Sequence, residues 1–269
     1  MKINNIKDKW VSTVEDIDCG DLTDTEQKKV FDLLATRKVV IFKKQNLTNE
    51  QLKTFAGVFG FVWDRNKEKY SGLEQSVNTG HQDNFVEVVS ESGLLKKGII
   101  PWHIDLTHFP SQLIPNRLLY AVELEGAPAG TRFIDTVQGY KLLGPGTKNF
   151  LRQSVALCKA PYDTPWQAIV RRPAVNWHPC YKDWALTCDN LFTIHIEGLD
   201  QDYKDWIGPI IANMQTEETT YEHEWELGDL MIYDNWSTMH YRGSFEGKRK
   251  LKRLTWDQDW YRYGEPNYV

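Results

Sequence analysis

His103 and Asp105 stand two residues apart in Pro101-Trp102-His103-Ile104-Asp105. On an extended backbone such a pair projects to one side, so an imidazole nitrogen and a carboxylate oxygen can meet at a single metal ion. The triplet alone is a weak signal, because it arises by chance in many chains, and a third ligand must come from elsewhere. The best candidate is His240, which closes the segment Gly228-Asp229-Leu230-Met231-Ile232-Tyr233-Asp234-Asn235-Trp236-Ser237-Thr238-Met239-His240. Two histidines and one carboxylate on one face form the facial triad of non-haem Fe(II) oxygenases, which leaves three coordination positions open. Two of these suit a chelating 2-oxo acid and the third suits O2. The competing reading is a histidine that only packs within a strand.

A second feature follows His240. Lys248-Arg249-Lys250-Leu251-Lys252-Arg253 is a basic run within an acidic chain. Taken by itself it reads as a nucleic-acid patch or a nuclear signal. Taken as a strand, it puts Arg249, Leu251 and Arg253 on one face and Lys250, Lys252 and Leu254 on the other. Two arginines facing a barrel lumen clamp carboxylates, because the guanidinium fork pairs with them bidentately. They stand roughly 13 Å apart along such a strand, enough for two separate anions. Other histidines have plainer readings. His178, beside Pro179, and His223, in an acidic stretch, read as surface residues. His195, within the strand-like run from Phe192 to Ile196, reads as a core or lumen histidine, and His81 lies in a polar loop that can contact a substrate.

These residues need a scaffold to bring them together. Thr23-Asp24-Thr25-Glu26 is a capping box that opens a helix towards Leu34, and Thr48-Asn49-Glu50-Gln51 opens a second that stops at Gly60. The β-branched run from Lys38 to Phe42 between them predicts a strand. From about residue 99 short apolar runs alternate with turns. Arg117 to Glu125 and Leu251 to Trp256 predict strands. Trp225-Glu226-Leu227 and Leu230 to Tyr233, around Gly228-Asp229, predict a hairpin. One helix interrupts, carrying Tyr203, Trp206, Ile207, Ile210, Ile211 and Met214 at helical spacing, with a kink expected at Pro209. Many short strands and few helices predict a mainly β sandwich or jelly roll with flanking helices.

Composition narrows the function classes. The 269 residues carry 32 Lys+Arg against 37 Asp+Glu, a net charge of −5, which argues against a general nucleic-acid binder. Eleven Trp, 12 Tyr and 11 Phe argue against disorder. Four cysteines without a CxxC pair spell neither a zinc ribbon nor a redox motif. No apolar segment is long enough to span a bilayer, and the polar opening residues carry no signal-peptide pattern, although sequons occur at Asn46 and Asn235. A reduced, cytoplasmic protein is expected; self-association is left open.

Together these segments resemble the TauD/TfdA (taurine dioxygenase-like) family. The likeness covers nearly the whole chain: Lys38 to Gln51 with Phe55 to Gly60, Trp102 to Thr107, Gly130-Thr131, and Gly228 to His240, in that order. The resemblance implies a single domain over 1–269 with a double-stranded β-helix (jelly-roll, cupin-like) core. It implies a dioxygenase that uses Fe(II), 2-oxoglutarate and O2 to oxidise a small substrate bearing a carboxylate or sulfonate, most often by hydroxylation, with release of succinate and CO2. By the same likeness His103, Asp105 and His240 are iron ligands, Thr131 and Arg249 bind 2-oxoglutarate, and Arg253 contacts the substrate anion. The spacing from His240 to Arg249 is short, so the two arginines can exchange roles. Asp105 sets the chain apart from radical halogenases, which carry a small residue there. Trp236 departs from the family's usual Asp-Asn-Arg. The alternative from another class is a jelly-roll protein that binds a metal or small acid without oxidising anything; nucleic-acid binding through residues 248–253 ranks below both.

Overall fold

In a computed structural model, which describes residues 1–7, 10–62, 87–89, 97–109, 116–161 and 168–258, both capping boxes open helices. Thr23 caps Asp24–Thr36 and Thr48 caps Asn49–Phe59, each with its reciprocal Glu26 or Gln51 contact in place. The strand between them is Val39–Phe42. It lies in the middle of the main sheet, whose path runs Lys2–Lys7, Val11–Glu15, Val39–Phe42, Leu230–Tyr233, Asn116–Glu125, Lys248–Gln258 and Gly60–Val62, with Glu87–Val89 also on Lys248–Gln258. A second sheet runs Thr220–His223, Thr131–Asp135, Thr238–Arg242, Ile100–His103. Smaller sheets of three and two strands complete the β structure.

The main strands are buried on both faces. Val40, Phe42, Leu118, Tyr120, Leu230, Ile232, Leu254 and Trp256 pack under the two N-terminal helices. Their alternates Val39, Ile41, Leu119, Ala121, Met231, Tyr233 and Leu251 face Phe133 of the second sheet. The far side of the second sheet, with Ile134 and Met239, is covered by a core that includes the helix Tyr203–Asn213. That helix runs continuously through Pro209. Period-2 alternation therefore sorts apolar side chains between two cores rather than between core and water. The space between the two sheets is the jelly-roll lumen.

The expected hairpin around Gly228-Asp229 does not form. Thr220–His223 pairs with Thr131–Asp135 in the second sheet, whereas Leu230–Tyr233 inserts between Val39–Phe42 and Asn116–Glu125 in the main sheet. Gly228 makes the turn with φ +83°, and a Cβ there would come within 2.7 Å of Gln45 O. The turn chemistry is right, but hydrogen-bond partners on other strands decide where each arm goes. Trp225 is not in a strand; its indole enters the lumen.

All four cysteines are free and buried, with burial as the main cause that pushes each thiol up. Among the described residues no helix is long and apolar enough to cross a membrane.

Candidate metal centre and anion pocket

His103 ends the strand Ile100–His103 and His240 sits in Thr238–Arg242; the two are direct antiparallel partners, their rings 3.9 Å apart. Asp105 does not share their extended backbone. The strand stops at His103, and Asp105 lies in the turn that follows, where Leu106 adopts φ +61°. A leucine in the left-handed region is strained, and four hydrogen bonds hold the turn. Asp189 accepts from Ile104 N at 3.3 Å and Thr107 Oγ1 at 3.1 Å, and Asn235 grips the Asp105 backbone twice, Oδ1 from its N–H and Nδ2 to its carbonyl.

The three side chains converge. His103 Nε2 lies 3.6 Å from Asp105 Oδ1 and His240 Nε2 lies 3.7 Å from Asp105 Oδ2, with all three buried. Among the described residues they are the group of potential metal-binding side chains whose donor atoms fall within 4.8 Å of one another. The donor set suits a divalent metal. His103 Nδ1 lies 2.8 Å from Pro101 O, so it carries the ring proton and leaves Nε2 its lone pair. Burial, with His103 alongside, holds His240 well below its ordinary value, hence neutral. Burial alone would raise the Asp105 carboxyl, but Arg117 above all, then His240, Arg253 and His103, keep it well below the carboxylate range. Metal binding needs neutral imidazole and ionised carboxylate, and His240 and Asp105 are held in those forms.

A second polar cluster gathers at Thr131, the first residue of its strand. Its Oγ1 accepts from Arg249 Nη2 and from Trp225 Nε1, each at 3.0 Å, while Arg249 Nε donates to Ala129 O at 3.0 Å. Arg249 is buried, and no carboxylate lies beside it among the described residues. Burial, then the charge of Arg242, brings its guanidinium down to about 9. Arg253, on the same face of the strand, places Nη1 3.9 Å from Asp105 Oδ2.

Two histidine expectations are overturned. His178 and His223 are buried, not surface residues, and each meets a buried aspartate: His178 Nε2 lies 2.8 Å from Asp234 Oδ2, and His223 Nε2 lies 3.0 Å from Asp229 Oδ2. Both partners belong to the Gly228-to-His240 segment, so these histidines brace the strand that leads to His240. His195 is half-buried in Thr193–Ile196, and His81 lies outside the described residues. Several site residues went unnoticed in the sequence. Arg117 and Tyr233 reach Asp105 from the main sheet. Asp189 ties the ligand turn, Trp225 walls the anion pocket, and His108 stacks on Phe192 at 4.3 Å. For Arg117 and Tyr233 the usable signal was strand parity, which aims them into the lumen.

The family model described as taurine catabolism dioxygenase TauD, TfdA family matches residues 3–255. The chain belongs to this family. Family members are dioxygenases that use Fe(II), 2-oxoglutarate and O2. Curated relatives of this TauD/TfdA protein include the alpha-ketoglutarate-dependent 2,4-dichlorophenoxyacetate dioxygenase of Cupriavidus pinatubonensis, 24% identical over 94% of this chain and 96% of the relative. An alkylsulfatase of Acinetobacter baylyi is 25% identical over 84% and 75%. Among solved structures, a taurine dioxygenase from Burkholderia xenovorans superposes with TM-score 0.77 at 21% identity, over 96% and 91% of the two chains. AAD-2, solved with Mn(II) and N-oxalylglycine, superposes with TM-score 0.78 at 21% identity, over 96% and 97%. The shared fold is the cupin-like jelly roll.

Proposed function

We propose that this TauD/TfdA dioxygenase hydroxylates a C–H bond of a small substrate that bears a carboxylate or sulfonate, converting 2-oxoglutarate to succinate and CO2. One observation carries the reading: Arg249 is a buried cation with no anion beside it among the described residues, in the same lumen as a metal-ready triad. An unpaired buried charge is costly, and a dicarboxylate that enters the pocket supplies the missing partner.

In this reading His103, Asp105 and His240 hold Fe(II), which when bound supplies the O2 chemistry that no side chain can. The Thr131 hydroxyl has both lone pairs engaged by Arg249 and Trp225, so its hydrogen is free to donate to a carboxylate. Arg249 Nη1 makes no hydrogen bond among the described residues, and its hydrogens are left for the distal carboxylate of 2-oxoglutarate. The Trp225 indole lies 5.7 Å from that guanidinium and shields it from water. Arg253, beside Asp105, then meets the substrate anion. Relatives named for a phenoxyacetate and an alkyl sulfate support that choice of charge. Ligands from both ends of the region 103–240 make residues 1–269 a single catalytic unit.

The test is succinate release from purified protein with Fe(II), 2-oxoglutarate and a panel of small carboxylates and sulfonates. Substrate-triggered release that disappears in Asp105→Ala and His240→Ala is expected. Full turnover by both variants, or binding of metal and 2-oxoglutarate without O2 consumption above background across the panel, overturns the reading.

A further inference from the structure

The carboxylate of Asp105 is held unequally. Each oxygen faces one triad histidine, Oδ1 with His103 Nε2 at 3.6 Å and Oδ2 with His240 Nε2 at 3.7 Å. But Oδ2 also accepts from Tyr233 Oη at 3.1 Å and lies 3.0 Å from Arg117 Nε and 3.9 Å from Arg253 Nη1, whereas Oδ1 has no hydrogen bond among the described residues. Arg117 and Tyr233 are register partners on adjacent strands of the main sheet, Asn116–Glu125 and Leu230–Tyr233, and both are almost wholly buried. Arg117 is fixed in turn by Nη1 donating to Thr255 Oγ1, its register partner on the other side. Three neighbouring strands of one sheet therefore brace a single carboxylate oxygen that belongs to a turn at the edge of the other sheet.

We propose that Arg117 and Tyr233 are positioning residues for the metal centre, which hold Oδ2 so that Asp105 offers the metal only Oδ1. The proposal rests on the reading of Asp105 as a metal ligand. Its chemical content concerns coordination number. A carboxylate that binds through both oxygens occupies two positions, and a centre that must also receive a chelating 2-oxo acid and O2 then has too few. A buried guanidinium and phenol fixed by a sheet prevent the carboxylate from turning, and they do so before any metal arrives. The guanidinium also offsets the carboxylate charge in the metal-free protein, so the buried anion keeps its rotamer instead of swinging towards water.

The experiment is Co(II) titration of metal-free protein, followed by visible absorption, with wild type, Arg117→Ala, Arg117→Lys, Tyr233→Phe, the double variant Arg117→Ala/Tyr233→Phe, and Asp105→Ala. Loss of such outer partners typically weakens metal binding roughly 10–100-fold, and that range is expected for Arg117→Ala and the double variant. Arg117→Lys should recover part of it. The visible spectrum of the bound Co(II) should change in the double variant, because a second carboxylate oxygen then takes a position that water holds in the wild type. Tyr233→Phe preserves shape, so it reads the contact even if Arg117→Ala folds poorly. Wild-type affinity and spectrum in Arg117→Ala, Tyr233→Phe and the double variant, with Asp105→Ala unable to bind, would overturn the proposal alone. Undiminished binding by Asp105→Ala overturns the ligand reading beneath it.

Discussion

His103 and His240 face each other directly across an antiparallel strand pair, with ring centroids 3.9 Å apart and Phe133 opposite His240 on the next strand. Two imidazoles from distant parts of the chain are thus set by strand register, the most rigid device in the fold. A one-residue slip would turn His240 out of the lumen and Met239 into it.

Removing either end of that pair should abolish the centre. His240→Ala is expected to weaken Co(II) or Fe(II) binding by at least about a hundredfold, since outer partners alone are worth roughly 10–100-fold. Isothermal titration of the metal-free protein checks it; binding within a few-fold of wild type would remove His240 from the ligand set.

The anion pocket should fail separately. Hydrogen bonds to charged groups contribute about 1.5–3 kcal/mol, so Arg249→Met should raise the KM for 2-oxoglutarate about 10–100-fold while metal affinity stays as it was. Because Arg249 is buried without a counter-ion among the described residues, the Met variant should not melt earlier than wild type. Thr131→Val should show the same split between 2-oxoglutarate and metal, smaller in size.

Asp234 holds the approach to His240. It meets His178 at 2.8 Å, accepts from Trp236 N at 2.9 Å and bonds the Ser237 hydroxyl, all out of water. Stripping one partner from a buried pair costs about 3–5 kcal/mol, so Asp234→Ala should lose that much in urea unfolding. Breaking the exposed Arg171–Glu197 pair should cost less than about 1 kcal/mol.

His108 predicts acid sensitivity. Burial pushes its imidazole down to about 4 from the ordinary 6.5, against the pull of Asp105. The unfolded chain takes up this proton first, so stability is full above about pH 6.5 and declines as pH falls towards 4. The loss is on the order of 3 kcal/mol. His108→Phe, which keeps the stack on Phe192, should flatten that limb in denaturation midpoints measured between pH 7 and 4.5. An unchanged slope would place the acid-sensitive group elsewhere.

Local chemistry made much of the fold legible. Thr23 with Glu26 and Thr48 with Gln51 announce their helices because each capping box closes within four residues. The run Val39–Phe42 announces a strand because β-branched residues favour the pleat. The triad residues, Thr131 and the arginine pair were likewise visible as ordered motifs, and alternation correctly set Arg249 and Arg253 on one face. Each of these signals spans a few neighbouring residues.

Tertiary structure decided whatever depends on partners far along the chain. Gly228-Asp229 turns as its residues require, but the arms join different sheets because their hydrogen-bond partners lie on Thr131–Asp135, Val39–Phe42 and Asn116–Glu125. His178 and His223 looked like surface residues because their aspartates, and the cores that bury them, appear only once the sheets assemble. Arg117 and Tyr233 carry no motif; they reach Asp105 because three strands and one turn meet at that point. The types of chemistry were written in short segments, whereas their geometry and charge balance came from contacts that only the folded chain makes.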